Sequence, residues 1–333
     1  MSLSIGIVGL PNVGKSTLFN ALTKKGVPAE NYPFCTIDPS VGIVPVPDER
    51  LYKLSEFSKS AKTIPAVVEF VDIAGLVAGA SKGEGLGNKF LSNIREVDAI
   101  AHVVRTFQDN SVIHVSNKVD PMQDIGVINL ELILSDAEVV SKRIGSLSRD
   151  VKRNIKEAIE EEAILKKIEK VLEEGRMATD ADINEEEKFK IKSLNLLTLK
   201  PMLYVLNVSE ASENIHLGAE LPSGNLWVEV DPVFERGFDD LIKKSYELLG
   251  LETFFTTGSD ESRAWTIKKG STAPIAGTAI HTDFKDKFIR AEVINWKDLL
   301  DSGSYAEARA KGLVRTEGKE YIVKDGDVVE FKI

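Results

Sequence analysis

The segment from Gly9 to Ser16, GLPNVGKS, constrains the fold of this chain more than any other. It fits the pattern GxxxxGK[ST], it follows a strand-like apolar run from Ile5 to Val8, and a helix-compatible stretch from Thr17 to Lys24 comes next. A loop between a strand and a helix points its backbone N–H groups at a phosphate, and glycines let the backbone approach closely. The sequence therefore predicts a phosphate-binding loop (P-loop) rather than a glycine turn that only joins two elements.

The P-loop pattern also assigns chemistry to individual residues. The Lys15 ammonium is expected to reach the β- and γ-phosphate oxygens and to stabilise their charge, and the Ser16 hydroxyl is expected to ligate Mg²⁺. Lys15 is therefore a predicted catalytic residue. The predicted nucleotide contacts in this loop are Asn12, Val13, Gly14, Lys15, Ser16 and Thr17.

The composition describes a globular chain. Its 333 residues suffice for two or three domains, and no apolar run approaches the length of a membrane span. The start MSLSIGIVGL lacks a basic region with a cleavage site, and Cys35 is the single cysteine, so we expect a cytoplasmic protein with no membrane partner. A formal charge of −10 argues against a protein that coats nucleic acid, although a local basic patch can still dock on RNA.

The first part of the chain alternates strand-like and helix-compatible segments, and the same alternation returns near residue 199. The strand-like runs are 5–8, 67–71, 100–104 and 202–206, and a further helix-compatible stretch spans 238–249. This alternation predicts an α/β fold with a mostly parallel sheet. We predict a P-loop NTPase domain made of residues 1–127 and 199–249.

The intervening stretch has a helical period. Its apolar residues follow alternating steps of three and four, the heptad pattern of a coiled coil. They are Leu130, Ile133, Ala137, Val140, Ile144, Leu147 and Val151. A second apolar face continues to Gly175, so we expect a helix folded back on itself, with a turn between Ser148 and Asn154 and another helix start at Asn184. Residues 128–198 are therefore predicted to be a helical coiled-coil insertion.

After Gly250 the pattern changes to short strand-like segments separated by turn residues. These segments are 264–267, 279–281, 289–293, 321–323 and 328–333. The change predicts that residues 250–333 form a small, separate α+β domain.

Two further segments supply candidate contacts for the metal and the γ-phosphate. The Thr36 hydroxyl lies in a loop of the kind that γ-phosphate orders, although it also fits a turn threonine beside a proline. Asp72 and Gly75 form a DxxG segment after an apolar strand, which places a carboxylate near the metal and a Gly75 N–H near the γ-phosphate. The predicted metal ligands are thus Ser16, Thr36 and Asp72.

Leu76 stands where many GTP hydrolases have a water-orienting glutamine. An apolar side chain cannot polarise water, so catalysis needs another polar group or the intrinsic rate is low. His114 is the candidate, because imidazole titrates near neutral pH, and the alternative is a surface or helix-capping histidine. Gly75 and His114 complete the predicted catalytic set.

The segment Asn207-Val208-Ser209-Glu210 follows a late strand, where GTP-binding proteins of this architecture have NKxD. The Asp of NKxD accepts hydrogen bonds from guanine N1–H and the 2-amino group. Glu210 is one methylene longer, and Val208 lacks the lysine stem that packs along the base. Adenine has neither guanine donor, and Asn207 and the Val208 amide can still meet its polar edge. We therefore predict ATP over GTP, with a plain strand-end turn as the alternative.

With these pieces, the chain closely resembles the Obg-like ATPase family, also called YchF, over nearly its whole length. The resemblance rests on GLPNVGKST (9–17), NYPFCTI (31–37), DIAGLVAGASKGEGLGNKFL (72–91), NVSE (207–210) and RAWTIKKGSTAPIAGTAIHTDFKDKFIRAEV (263–293). The last segment resembles the ubiquitin-like TGS domain of the family. The sequence departs from the family between Asn225 and Phe238, where members have a longer segment.

The resemblance implies a slow, Mg²⁺-dependent ATPase that binds GTP more weakly. It further implies Mg²⁺ at Ser16 and Thr36, assistance of hydrolysis by His114, and K⁺ as a second ion, because Asn12 lies where potassium-activated relatives have a K⁺ ligand. It also implies a ribosome partner, with the large subunit and tRNA or rRNA as candidate contacts.

Two basic clusters are compatible with such a partner, although both also fit solvated faces. They are Lys142, Arg143, Arg149, Lys152, Arg153 and Lys156, and Lys285, Lys287 and Arg290. Two other functions stay open at this point: a GTPase of the Obg-related class, and a nucleotide-gated binding module in which hydrolysis is incidental.

Overall fold

The computed structural model describes residues 3–24, 40–73, 85–109, 118–210, 214, 215, 217, 221 and 226–333, with side chains from residue 89 in the third range. The strands of these residues are β1 (Ser4–Val8), β2 (Val41–Pro45), β3 (Lys62–Ile64), β4 (Val67–Asp72), β5 (Ala99–Arg105), β6 (Met202–Asn207), β7 (Leu226–Val230), β8 (Leu251–Thr257), β9 (Glu261–Lys268), β10 (Arg290–Asn295), β11 (Arg315–Glu317) and β12 (Asp327–Lys332).

The helices of the same residues either pack on the two sheets or belong to a helical region with its own apolar core. They are α1 (Lys15–Lys24), α2 (Glu49–Ser58), α3 (Gly85–Glu96), α4 (Pro121–Lys152), α5 (Lys156–Glu173), α6 (Glu185–Lys190), α7 (Phe238–Leu248), α8 (Ala273–Gly277), α9 (Asp283–Lys287), α10 (Trp296–Ser302) and α11 (Tyr305–Ala310). Short 3-10 turns lie at Ala178–Asp180, Lys192–Leu194 and Leu197–Leu199. None of the helices in the described part of the chain is long and apolar enough to cross a membrane.

The first sheet has the order β2-β4-β1-β5-β6-β7. All of its neighbouring strands are parallel except β2, which runs antiparallel to β4. Every residue of β5 and β6 is buried, as expected for central parallel strands covered on both faces. The predicted α/β fold with a mostly parallel sheet is confirmed, and the carboxyl ends of β1, β4, β5 and β6 meet at one edge.

The heptad pattern forms a helical hairpin from α4 and α5. Its core contains the predicted heptad residues Ile133, Val140 and Leu147, packed with apolar residues of α5, whereas Leu130 is 51% exposed. The helices are joined at residues 153–155, where Asn154 takes a positive φ of 63°, so the turn lies at the far end of its predicted range. Asn184 caps α6 with a reciprocal bond to Glu187, as its sequence indicated.

Helix α4 also belongs to the core of the first sheet. It begins at Pro121, capped by Asp120, and Ile125, Ile128 and Leu132 lie in the apolar cluster that contains β5 and β6. The predicted boundary at residue 128 therefore falls inside a continuous helix.

The second sheet has the order β11-β10-β12-β8-β9-β3. Its outer strand β3 comes from the first part of the chain and pairs in parallel with β9, from Lys62 opposite Glu261 to Ile64 opposite Arg263. Residues 279–281, a predicted strand, instead lie between α8 and α9, and Ile280 packs on the apolar cluster of this sheet. Residues 321–323 contribute a single bridge, from Ile322 to Thr272.

Candidate nucleotide-binding site

The P-loop connects β1 to α1 at the carboxyl edge of the first sheet, and α1 begins at Lys15. Gly14 has a φ of +95°, and a Cβ built there would lie 2.2 Å from the Asn207 side-chain nitrogen. Both facts require glycine, because an L side chain is strained at this φ and has no room. Asn12, at a φ of 62°, is the other left-handed residue of the loop.

Lys15 folds back over the loop that precedes it. Its ammonium donates to the Leu10 carbonyl at 2.7 Å, and the side chain is buried. Burial lowers the pKa of Lys15, and the carboxylate of Asp72 acts in the opposite direction. The ammonium is thus held against the loop to which the sequence assigns the phosphates.

Asp72 ends β4 and lies beside the P-loop because β1 and β4 are parallel neighbours, with Ile7 opposite Asp72. Burial raises the pKa of Asp72, while the Lys15 charge and a hydrogen bond from the Ser16 hydroxyl act to lower it. The structure therefore brings together Lys15, Ser16 and Asp72, three residues that the sequence assigned to phosphate and metal binding.

The donor set at this edge fits Mg²⁺. A serine hydroxyl and a carboxylate are the hard oxygen ligands that Mg²⁺ prefers, and Mg²⁺ in nucleotide sites takes one or two carboxylates together with phosphates. Within the described ranges there is no group of three or more His, Cys, Asp or Glu placed to hold a metal alone. A metal at Ser16 and Asp72 would accordingly depend on nucleotide oxygens.

Asn207 links the segment predicted to contact the base to the P-loop. Its side-chain amide donates to the Val13 carbonyl at 2.8 Å. The backbone carbonyl of Asn207 accepts from the backbone N–H and the hydroxyl of Thr106 at 3.1 and 2.9 Å. Val208 differs from the expectation, since its N–H donates to the Val230 carbonyl at 2.9 Å. Because the Val208 N–H is hydrogen-bonded to β7, the predicted contact between this N–H and the base edge does not fit the structure.

Glu210 also has partners in the structure. Its carboxylate forms an ion pair with Arg236, and its N–H donates to the Asp231 carboxylate at 3.1 Å. Three predicted site residues, Thr36, Gly75 and His114, lie outside the described residues, as does Leu76.

Two buried residues of β5 were missed by the sequence reasoning. Arg105 is almost fully buried, and its guanidinium donates to the carbonyls of Phe107 and Asp109 at 3.1 and 3.0 Å. His102 is likewise buried, which lowers its pKa to about 3, with the Lys15 charge as a second cause. A charged residue and a histidine inside the otherwise apolar run AIAHVVR were the signal that could have identified them.

Two family descriptions match this chain. Residues 4–135 match MMR_HSR1, described as a 50S ribosome-binding GTPase. Residues 251–333 match YchF-GTPase_C, described as a protein of unknown function (DUF933).

Two curated relatives align with nearly the whole chain. The chain is 51% identical to the Ribosome-binding ATPase YchF of Bacillus subtilis over 363 aligned positions, which cover 100% of this chain and 99% of the relative. It is 47% identical to the protein of the same name from Escherichia coli O157:H7, with 99% of each chain covered. The first alignment is longer than the 333 residues of this chain, so the relative contains residues that this chain lacks.

A solved structure supports the same comparison. The Schizosaccharomyces pombe YchF GTPase superposes with a TM-score of 0.87 at 38% identity, covering 99% of this chain and 98% of that one. The agreement extends over both sheets and the helical hairpin.

Proposed function

This chain belongs to the YchF family, and from that membership we propose that it is a Mg²⁺-dependent P-loop ATPase that acts with the ribosome. The observation that carries the proposal is the cluster of Lys15, Ser16 and Asp72 beside a P-loop held by Asn207. The relatives' name, Ribosome-binding ATPase, supports both the reaction class and the partner.

The roles follow from where charge changes during phosphoryl transfer. The Lys15 ammonium and the P-loop amides stabilise charge on the phosphates, and Mg²⁺, held by Ser16, Thr36 and Asp72, would neutralise the β- and γ-phosphate oxygens. We propose that the Gly75 N–H contacts the γ-phosphate and that His114 orients the attacking water, because Leu76 cannot. The remaining proposed nucleotide contacts are Asn12, Val13, Gly14, Thr17, Asn207 and Glu210, without the Val208 amide, which donates to Val230.

One set of hydrolysis assays tests these assignments, and we expect three dependences. ATP turnover should be lost in EDTA, should be faster in K⁺ than in Na⁺ if Asn12 helps to bind K⁺, and should fall in a His114→Ala variant. Equal rates in the two salts would remove the K⁺ proposal, and unchanged turnover in the variant would remove the role of His114. The assignments of Mg²⁺, K⁺ and His114 are tested independently, so a negative result for one does not contradict the other two.

We propose ATP as the preferred nucleotide. Guanine recognition needs a free carboxylate for its N1–H and 2-amino donors, and the Glu210 carboxylate is engaged by Arg236. GTPase activity is the second candidate, because MMR_HSR1 and the S. pombe structure are both described as GTPases.

Equilibrium titration with ATP and GTP in the presence of Mg²⁺ decides between the two. We expect ATP to bind at least several-fold more tightly. Tighter binding of GTP would overturn the adenine assignment and favour the second candidate.

The ribosome, with its large subunit and tRNA or rRNA as candidate contacts, is the proposed partner, and it would place the activity in the cytoplasm. The basic side chains of the helical hairpin are candidate contacts, but not all of them are equally suited to this role. Lys142, Arg143 and Lys156 each lie within 4.0 Å of a glutamate, which favours a solvated face for these three. We propose three sequence segments, 1–127 with 199–249, 128–198 and 250–333, which are not separate bodies, because α4 runs through residue 128 and β3 pairs with β9 of the last segment.

A further inference from the structure

Residues 231–236 form a turn after β7, and backbone hydrogen bonds join its first and last residues. Asp231 and Arg236 exchange two backbone hydrogen bonds of 3.1 Å each. Inside the turn, the Asp231 carboxylate accepts from the N–H groups of Val233 and Phe234 at 3.0 and 3.1 Å. Four hydrogen bonds therefore hold residues 231–236 in one conformation.

The position of Arg236 is fixed by the backbone on its other side as well. Gly237 has a φ of +74°, and a Cβ there would lie 2.0 Å from the Glu229 carbonyl oxygen. The chain thus passes directly against β7 before α7 begins at Phe238, at a point where no residue with a side chain fits.

This turn lies next to the segment that reads the base. Strand β7 pairs in parallel with β6, with Val230 opposite Asn207. The Val208 N–H then donates to Val230, and the Glu210 N–H donates to the Asp231 carboxylate. The backbone of Asn207 to Glu210 is thereby attached at two points, once to the end of β7 and once to the turn.

The side chain of Glu210 completes the attachment, since its carboxylate forms an ion pair with the Arg236 guanidinium. A guanidinium directs its N–H groups at carboxylate oxygens, which uses the lone pairs that guanine donors would otherwise meet. Adenine presents no N1–H and no 2-amino group, so this engagement removes nothing that adenine needs.

We propose that Arg236 is a specificity-determining residue of the nucleotide site, which disfavours guanine by holding the carboxylate of Glu210. Asp231 is the positioning residue, because it fixes both the turn and the Glu210 backbone. This inference rests on the proposed nucleotide-binding function and adds a specific cause for the preference for ATP.

The expected effect is modest because both partners are partly exposed, Arg236 at 65% and Glu210 at 44%. Exposed ion pairs contribute little, and releasing one of them changes binding by roughly fivefold at most. In Arg236→Ala we expect GTP to bind about three- to fivefold more tightly, with ATP binding changed by less than about twofold. Equilibrium titration of the full chain with Mg²⁺ and each nucleotide measures both constants.

Three further variants isolate the cause. Arg236→Lys keeps the positive charge and should retain most of the wild-type ratio. In a Glu210→Gln background there is no carboxylate to release, so Arg236→Ala should leave the ratio unchanged. Arg176→Ala is the matched control, because Arg176 forms a partly exposed pair with Glu174 in the helical region, and it should bind both nucleotides like the wild type.

The outcomes separate this inference from the function on which it rests. A wild-type chain that binds neither nucleotide contradicts the proposed function itself. A chain that prefers ATP but keeps its ratio in Arg236→Ala contradicts only the role of Arg236. A gain in GTP binding of the same size in the Glu210→Gln background also overturns it, since the effect would then not pass through the carboxylate.

Discussion

Replacement of Lys15 by alanine is expected to slow ATP hydrolysis by roughly a hundred- to a thousandfold. The ammonium is held inside the P-loop by the Leu10 carbonyl at 2.7 Å and by the charge of Asp72. A cation fixed in place before the reaction stabilises phosphate charge without reorganisation, and alanine removes that charge altogether. Steady-state phosphate release with saturating ATP measures the loss.

Lys24→Ala is the matched control for this variant. Lys24 ends the same helix, is exposed, and lies two to three turns from the P-loop, so its removal should leave turnover within about twofold of the wild type. If Lys15→Ala retained more than about a tenth of the wild-type rate while folded by circular dichroism, charge stabilisation at this loop would be excluded as the main catalytic contribution.

Replacement of Asp136 by alanine is expected to have the largest effect on stability, about 4 kcal/mol. This carboxylate lies on α4, has no solvent exposure, and accepts from the N–H groups of Leu197 and Thr198 and from the Thr198 hydroxyl at 3.0, 2.7 and 2.6 Å. Alanine leaves three buried donors without an acceptor, and each such group costs about 1–3 kcal/mol. Hydrogen exchange at the Leu197 and Thr198 amides, together with denaturant unfolding, measures the loss.

Two further variants test whether the loss of stability comes from the buried carboxylate of Asp136. Asp136→Asn retains an acceptor oxygen and should lose less stability than alanine. Asp150→Ala, at a half-exposed site of the same helix where the nearest cation is 3.9 Å away, should change stability by no more than about 0.5 kcal/mol. If Asp136→Ala were as stable as Asp150→Ala, the carboxylate would not be what fastens α4 to the chain that leads into β6.

The sequence predicted best those features that depend on neighbouring residues. The P-loop was predictable because its glycines, Lys15 and Ser16 act within one turn of the chain. The heptad residues Ile133, Val140 and Leu147 were predictable because a helix brings residues seven apart to one side. In both cases the local pattern and the tertiary structure require the same residues.

Long-range polar contacts were not predictable in the same way. The hydrogen bond from Asn207 to Val13 joins residues 194 positions apart. No local sequence pattern around Glu210 identifies Arg236 as its ion-pair partner. The contact predicted for the Val208 amide failed for a related reason, because the next strand of the sheet, β7, uses that N–H. Parallel sheets bring such residues together through their topology, which single-sequence patterns do not specify.

Strand β3 affects how this protein can be divided. The family match at the C-terminus begins at residue 251, yet the sheet it forms is completed by Lys62–Ile64 from the other half of the chain. A fragment that starts at residue 251 would therefore expose the free edge of β9, and such an edge pairs readily with other chains. The second sheet contains residues from both halves of the chain, so an expressed fragment keeps this sheet complete only if it includes both halves.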